Sequence, residues 1–93
     1  MTFSKNEFGI PLYPEGDARR LFVLLAAINL LERPTVSAIA DFTSHDKDTI
    51  DKDVAILQEQ FGVLLLKVGH VYRIESWGSI LNEQGIRTFL KMQ

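Results

Sequence analysis

The stretch VLLLKVGHVYRIE, residues 63–75, constrains the fold more than any other part of the chain. Two runs rich in β-branched and aromatic residues flank the pair Gly69-His70, and glycine at the first of two central positions favours a type II′ hairpin turn. A two-residue turn fixes the strand pairing, because each residue before the turn then has one partner after it. The predicted cross-strand pairs are Val68 with Val71, Lys67 with Tyr72, Leu66 with Arg73, and Leu65 with Ile74.

Both faces of this predicted hairpin are apolar. A hairpin with one solvated face normally alternates apolar and polar residues, so the second face requires a cover of its own. The N-terminal arm, the last helix or a partner chain are the alternatives. The face expected to cover the core carries Val63, Leu65, Tyr72 and Ile74. The other face carries Leu64, Leu66, Val68 and Val71.

Two helices are predicted in the first half of the chain. Leucine and isoleucine recur at helical spacing and predict a first helix over about residues 16–32, which Pro34 ends. A short helix over about 36–42 follows, and Thr35 is its expected N-cap.

A third helix is predicted over about residues 46–60, after the tight turn FTSHD. Its apolar residues recur at steps of four, three and four, which is the spacing of a helix packed on a core. Gly62 is the expected C-terminal stop. The core-facing residues are Ile50, Val54, Leu57 and Phe61.

The two ends of the chain extend this core into a single predicted domain. Residues 1–14 contain a glycine and two prolines, which argue against a helix, and enough large apolar residues to require docking on their own domain or on a second subunit. A C-terminal helix is predicted over about 77–91, capped by Ser76 or Ser79. The domain, residues 1–93, thus comprises an arm (1–14), a core (15–75) and a C-terminal helix (76–93).

Composition excludes several classes of protein. The chain has no cysteine, which rules out disulfides, thiolate metal sites and cysteine nucleophiles. No apolar run approaches the roughly 20 residues of a membrane span, and no basic-then-apolar leader is present, so a soluble cytoplasmic protein without membrane contact is expected. Glycine-rich phosphate loops and hydrolase motifs are absent, and the stretch HDKD lacks the EF-hand glycine and glutamate. Neither an enzyme nor a metal or cofactor site is expected.

The order helix, helix, tight turn, helix, hairpin resembles a winged helix-turn-helix domain. The stretch ERPTVSAIADFTSHDKDTIDKDVAILQEQFGV resembles the corresponding part of DeoR-type transcription regulators, and the resemblance spans about residues 18–75. In that family, T-V-S-x-[IL]-A opens the first helix of the motif, and a Thr-Ile pair followed by basic residues and an aspartate opens the second. The matching residues are Thr35-Val36-Ser37, Ile39-Ala40, Thr49-Ile50 and Asp53. The implied fold is α+β: a three-helix core, a two-stranded β-hairpin wing and a C-terminal helix, with an N-terminal arm.

The resemblance implies a small sequence-specific DNA-binding transcription regulator of the repressor kind. The third helix (46–60) would enter the major groove of double-stranded DNA and the hairpin (63–75) would act as the wing. Recognition helices contact bases with their N-terminal residues, and basic wing residues contact phosphates. A homodimer is expected, because one short helix with few basic groups gives little affinity. The predicted DNA-contacting residues are Ser44, His45, Lys47, Thr49, Lys52, Lys67, His70 and Arg73.

The charge of the third helix favours a second interpretation. Where the resembling family usually has two arginines after its Thr-Ile pair, this chain has Asp51 and Lys52. Residues 41–60 hold six acids and two bases, a net charge of −4. The alternative function is a winged-helix protein–protein module whose acidic third helix binds a basic partner. Acids in a first helical turn also stabilise the helix dipole, and a carboxylate can specify a cytosine through its amino group.

Overall fold

The structure, a computed structural model, describes residues 4–91. Four helices and one antiparallel hairpin form a small α+β domain, which confirms the predicted class at that level. Residues 1–3 of the predicted arm and 92–93 at the C-terminus lie outside the described residues. None of the helices within 4–91 has the length and apolarity to cross a membrane. The elements are α1 (Ala18–Leu30), α2 (Val36–Thr43), α3 (Lys47–Phe61), β1 (Leu64–Val68), β2 (Val71–Ser76) and α4 (Glu83–Lys91).

The core is built around α1, which packs against the other three helices and β2. Leu24 and Leu25 of α1 are fully buried together with Ile39 of α2 and with Ile50 and Leu57 of α3. Burial of each such side chain contributes roughly 1.5–3 kcal/mol. The predicted inner stripe of α3 is therefore confirmed, and its orientation decides which α3 residues remain outside.

Capping residues next to the helices determine where most of the helices begin or end. The Thr35 hydroxyl accepts a hydrogen bond from the backbone N–H of Ala38 at 3.0 Å, which confirms the predicted cap of α2. At the other end of α3, Gly62 adopts the left-handed conformation expected of a C-terminal stop. The first helix begins two residues later than predicted, because Asp17 occupies the N-cap and accepts from the backbone N–H of Arg19 at 2.9 Å.

The hairpin register agrees with all four predicted pairs. Gly69 has a positive φ of 65° and His70 does not, as a type II′ turn requires. The inner face packs on the core through the buried Leu65 and Tyr72. Of the four predicted outer residues, Val71 is half-buried beside Thr35 and the other three are exposed within residues 4–91, with Val68 65% exposed. Neither the arm nor α4 therefore supplies the predicted cover. The exposed outer residues are Leu64, Leu66 and Val68.

A third extended segment joins this hairpin. The backbone N–H of Tyr72 donates to the carbonyl of Pro34 at 2.9 Å, and Thr35 forms an isolated antiparallel bridge with Val71. The connection between α1 and α2 is thereby tied to the free edge of β2. This pairing could not be predicted, because two residues are too few to show the alternation of a strand.

The arm docks on its own domain. Asn6 donates through Nδ2 to the carbonyl oxygen of Phe42 at 2.8 Å and accepts from the backbone N–H of Ile10 at 3.0 Å. Ile10 and Tyr13 are buried and pack on Val23 in a second, smaller apolar cluster. Of the two predicted docking surfaces, the structure shows the intramolecular one.

The last helix begins at Glu83, so its predicted start near residue 77 was wrong. Gly78 has a positive φ of 73°, and a methyl group at that position would come within 2.5 Å of the Gly62 carbonyl oxygen. This tight turn holds the chain in an irregular path until Asn82. The predicted serine caps were also wrong, because the Asn82 side chain accepts from the backbone N–H of Gly85 at 2.6 Å.

Candidate functional site

A three-residue turn joins α2 to α3 and sets the direction in which α3 leaves the core. Ser44 has a left-handed backbone with φ 65°. The Thr43 hydroxyl donates to the carbonyl of Ile39 at 2.7 Å and accepts from the backbone N–H of His45 at 3.2 Å. From the arm, Asn6 Nδ2 donates to Ser44 Oγ at 3.0 Å. The start of α3 is therefore held by three parts of the chain.

A buried ion pair attaches α3 to α1. Arg20 Nε donates to Asp53 Oδ2 at 3.3 Å, and its Nη2 donates to Thr49 Oγ1 at 2.9 Å. The Arg20 and Asp53 side chains are only 11% and 10% exposed. Burial raises the pKa of Asp53, and attraction to the Arg20 guanidinium offsets part of that rise. Thr49, predicted to contact DNA, has its hydroxyl engaged inside the fold.

His45 is buried rather than presented at the surface. The residue is 5% exposed, and its Nδ1 has no hydrogen-bond partner in the described chain. Burial lowers the pKa of His45 to about 4, and the Arg20 charge adds to the effect, whereas Asp46 opposes it. At neutral pH the imidazole is uncharged. We therefore remove His45 from the predicted contact residues.

Asp51 connects α3 to the hairpin. The Tyr72 hydroxyl donates to Asp51 Oδ1, and Lys67 Nζ lies 3.6 Å from the same oxygen. The Lys67 ammonium also lies 5.3 Å from the centre of the Tyr72 ring. Burial raises the pKa of Tyr72, and the hydrogen bond to Asp51 raises it further. The residue that departs from the family pattern thus has a defined contact: it orients the hairpin against α3.

A second contact runs beside it. The side-chain oxygen of Gln58 accepts from the backbone N–H of Leu65 at 3.3 Å. Asp51 and Gln58 are seven residues apart and lie on the same flank of α3, two turns from each other. β1 is therefore held along the side of α3 at two points, and the two elements present one continuous surface.

The outward face of α3 carries mixed charge. Lys47 and Lys52 are exposed and form no ion pair with any residue in 4–91. Asp53 is neutralised internally by Arg20, so the exposed charges of residues 41–60 are five acids and two lysines, a net of −3. The exposed acids are Asp41, Asp46, Asp48, Asp51 and Glu59.

The predicted wing residues divide between two places. Lys67 lies on the inner face of the hairpin, where it joins Asp51 and the first two turns of α3. Arg73 lies on the outer face and pairs with Glu75. His70 is exposed at the turn. The structure thus places Lys67 beside Asp51 of α3 and Arg73 on the opposite face of the hairpin.

No metal centre is visible in the part of the chain that the structure describes. Within residues 4–91, no three acidic or histidine side chains converge closely enough to hold a cation. The carboxylates of α3 are distributed around the helix instead of meeting at one point.

Comparison of the chain with protein-family models, with curated proteins and with solved structures finds no match. The resemblance to DeoR-type regulators therefore rests on its own motif residues, which the structure locates. Thr35 caps α2, Ile39 and Ile50 are fully buried, and Asp53 holds Arg20. Each of these residues therefore contributes to the ends, the packing or the attachment of the helices.

Two residues of the candidate site, Arg20 and Tyr72, were not assigned their contacts from the sequence. The place of Arg20 at the start of α1 gives no sign that its side chain turns inward to Asp53 and Thr49. Tyr72 was placed opposite Lys67 by the register, but its hydroxyl was not assigned a partner. A buried tyrosine hydroxyl usually finds one, and this rule was the only available signal for the link to Asp51.

Proposed function

We propose that this protein is a winged helix-turn-helix repressor that binds double-stranded DNA in a sequence-specific manner. In this proposal α3 enters the major groove and the hairpin lies beside it as the wing. The observation that carries the proposal is that Lys67 of the hairpin lies against the second turn of α3, the helix whose exposed residues include Lys47 and Lys52. Two of these lysines form no ion pair within residues 4–91, and the third lies against α3.

The arrangement of elements supports the winged-helix assignment. Two helices separated by a three-residue turn are followed directly by a two-residue hairpin, as in helix-turn-helix proteins whose second helix reads the major groove. The pairing of Thr35 with Val71 adds a short extended segment between α1 and α2 to the hairpin. The outward side of α3 is left uncovered by the described chain, which is a requirement for entry into a groove about 12 Å wide.

The proposed contacts divide by their position. Ser44, Lys47 and Lys52 belong to the turn and to α3, whose N-terminal half faces the bases. Lys67 and His70 belong to the wing and face phosphates. Arg73 is the outermost of the predicted wing residues, and its pairing with Glu75 limits it to a peripheral phosphate contact.

The acidic residues of α3 lower the affinity expected for DNA. Each carboxylate near the DNA is repelled by phosphate, so the net charge of α3 lowers binding to every sequence alike. A single copy with three lysines would therefore bind weakly, and we include homodimer formation in the proposal because two half-sites add their contacts. The exposed outer face of the hairpin supplies apolar surface for self-association.

Binding to duplex DNA as a function of salt tests the proposal. Each neutralised phosphate contributes a slope of about −0.9 to a plot of log affinity against log salt. Contact of all three lysines with phosphate therefore predicts a slope of about −2.7 for one copy and about −5.4 for the dimer. Lys52→Glu should weaken binding to all sequences. Lys91→Glu makes the same charge change on α4, which packs mainly on α1, and should leave binding unchanged. Absence of binding by the unaltered protein at low salt would refute the proposal.

A second candidate function is favoured by the exposed net charge of −3 over residues 41–60. A protein–protein module would use this acidic surface to bind a basic peptide or protein. The same titration separates the two functions. Lys52→Glu should strengthen binding to a basic peptide while it weakens binding to DNA.

A further inference from the structure

The Asp51 carboxylate is held at one oxygen and free at the other. The Tyr72 hydroxyl and the Lys67 ammonium both contact Oδ1. Oδ2 has no hydrogen-bond or ion-pair partner among residues 4–91, and the side chain is 60% exposed. Oδ1 is therefore bound to the hairpin, and Oδ2 remains available as a hydrogen-bond acceptor at the surface.

The hairpin contacts fix where this acceptor lies. Tyr72 is 5% exposed, so its ring cannot follow movements of the Asp51 side chain. The Tyr72 hydroxyl donates a hydrogen bond to Oδ1 and the Lys67 ammonium forms an ion pair with the same oxygen, so both contacts favour one orientation of the carboxylate plane. Functional groups held by supporting hydrogen bonds in this way are pre-organised for recognition. Asp51 lies in the second turn of α3, within the half of a reading helix that meets base edges.

The surrounding lysines reduce the electrostatic repulsion between the Asp51 carboxylate and DNA phosphates. Lys67 lies 3.6 Å away, Lys47 lies one helical turn earlier, and Lys52 follows in sequence. Against these three positive charges stand Asp51 itself and Asp48, which leaves a local net charge of +1. Phosphate repulsion of Asp51 is thereby offset where a base contact is made.

We propose that Asp51 determines sequence specificity by accepting a hydrogen bond at Oδ2 from the N4 amino group of a cytosine in the major groove. This inference rests on the proposed DNA-binding function. In the major groove a cytosine presents an amino donor, whereas guanine and thymine present acceptors that repel a carboxylate. Adenine presents its amino group beside the acceptor N7, which disfavours it relative to cytosine.

Selection of binding sites from a random duplex library tests the inference with the full chain. The unaltered protein should select a site with cytosine at one fixed position. In Asp51→Asn, the amide oxygen must face Lys67, because an ammonium only donates, so the amide NH₂ points outward. This variant should lose about 5- to 100-fold in affinity for the cytosine site and should instead prefer a base that presents an acceptor there.

Asp48→Asn is the matched control, because it removes the same charge from the same helix without a contact to the hairpin. It should raise affinity for all sequences and retain the cytosine. Circular dichroism of both variants should show an unchanged fold, since both residues are exposed. Tyr72→Phe is the second variant: it keeps the ring, removes the hydroxyl that orients Asp51, and should reduce discrimination against the other three bases several-fold.

Three outcomes contradict separate parts of the inference and are distinguishable from one another. An unchanged cytosine preference in Asp51→Asn removes base reading from Asp51 while DNA binding stands. Unchanged discrimination in Tyr72→Phe shows that the hairpin does not position the carboxylate. Absence of any binding or selected site with the unaltered protein refutes the inference together with the proposed function, and strong binding to a basic peptide in that case assigns Oδ2 to a protein partner.

Discussion

The buried His45 imidazole should make the folded protein sensitive to mild acid. Its pKa falls from 6.5 to about 4 in the folded chain, chiefly because burial disfavours the charged form. As pH decreases below 6.5, the unfolded chain takes up a proton at this residue and the folded chain does not. Stability is therefore present above pH 6.5 and is lost progressively as pH falls to 4. With 1.36 kcal/mol per pKa unit, the loss is about 3 kcal/mol.

To isolate the contribution of His45, the pH dependence of stability must be compared with that of a variant that has no titratable group at position 45. His45→Leu keeps a similar volume, and Nδ1 has no hydrogen bond in the described chain that the change would remove. The free energy of unfolding should be measured by urea denaturation between pH 7.5 and 4, followed by the fluorescence of Trp77, the single tryptophan. Other carboxylates titrate over this range, so the informative quantity is the difference between the two proteins.

The unaltered protein should lose about 3 kcal/mol more than His45→Leu between pH 7 and pH 4. At pH 7 the imidazole is mostly neutral in both states, so that measurement serves as the internal reference. Arg20 contributes to the lowered pKa of His45, so a variant without Arg20 should show a smaller acid loss. Parallel pH profiles for the unaltered protein and His45→Leu would show that the imidazole is not held neutral, and the reasoning would fail.

Three further predictions concern the ion pair, the hairpin face and the turn before α4. Arg20→Met leaves the buried Asp53 charge unpaired and should reduce the free energy of unfolding, measured by urea denaturation, by about 3–5 kcal/mol. The double variant Arg20→Met/Asp53→Leu should recover most of that loss. Equal stability of the single variant and the unaltered protein would contradict this prediction. Val68→Lys, at a site 65% exposed, should convert a dimer to a monomer in sedimentation velocity without lowering the melting temperature, and an unchanged sedimentation coefficient would exclude this face. Gly78→Ala should reduce stability by about 1–3 kcal/mol through its positive φ and its clash with Gly62, which a thermal melt would record as a fall of about 4–8 °C per kcal/mol.

Features set by neighbouring residues could be predicted from the sequence. The hairpin register follows from the Gly69-His70 turn, since a two-residue loop permits one pairing. Thr35 caps α2 through a contact three residues away. The inner face of α3 follows from the spacing of its apolar residues. In each case the residues that predict the feature lie within a few positions of the feature itself.

Features set by distant contacts could not be predicted. The stretch after β2 has apolar residues at helical spacing, yet Gly78 packs on the Gly62 carbonyl and delays the last helix to Glu83. His45 lies in a polar turn, and its burial depends on how α1 meets that turn. The role of Asp51 appears only when α3 and the hairpin are placed side by side, because Tyr72 and Lys67 reach it from another element.

The close approach of Gly78 to Gly62 has an evolutionary consequence. A side chain at Gly78 would collide with backbone, which cannot yield as a flexible side chain can, so every other residue at this position should lower the stability of the fold. Exposed residues of α3 such as Lys47 and Lys52 contribute little to the core and are under no such constraint. Distant homologues should therefore be recognised more reliably by glycines aligned with positions 62, 69 and 78 than by the residues that contact a partner.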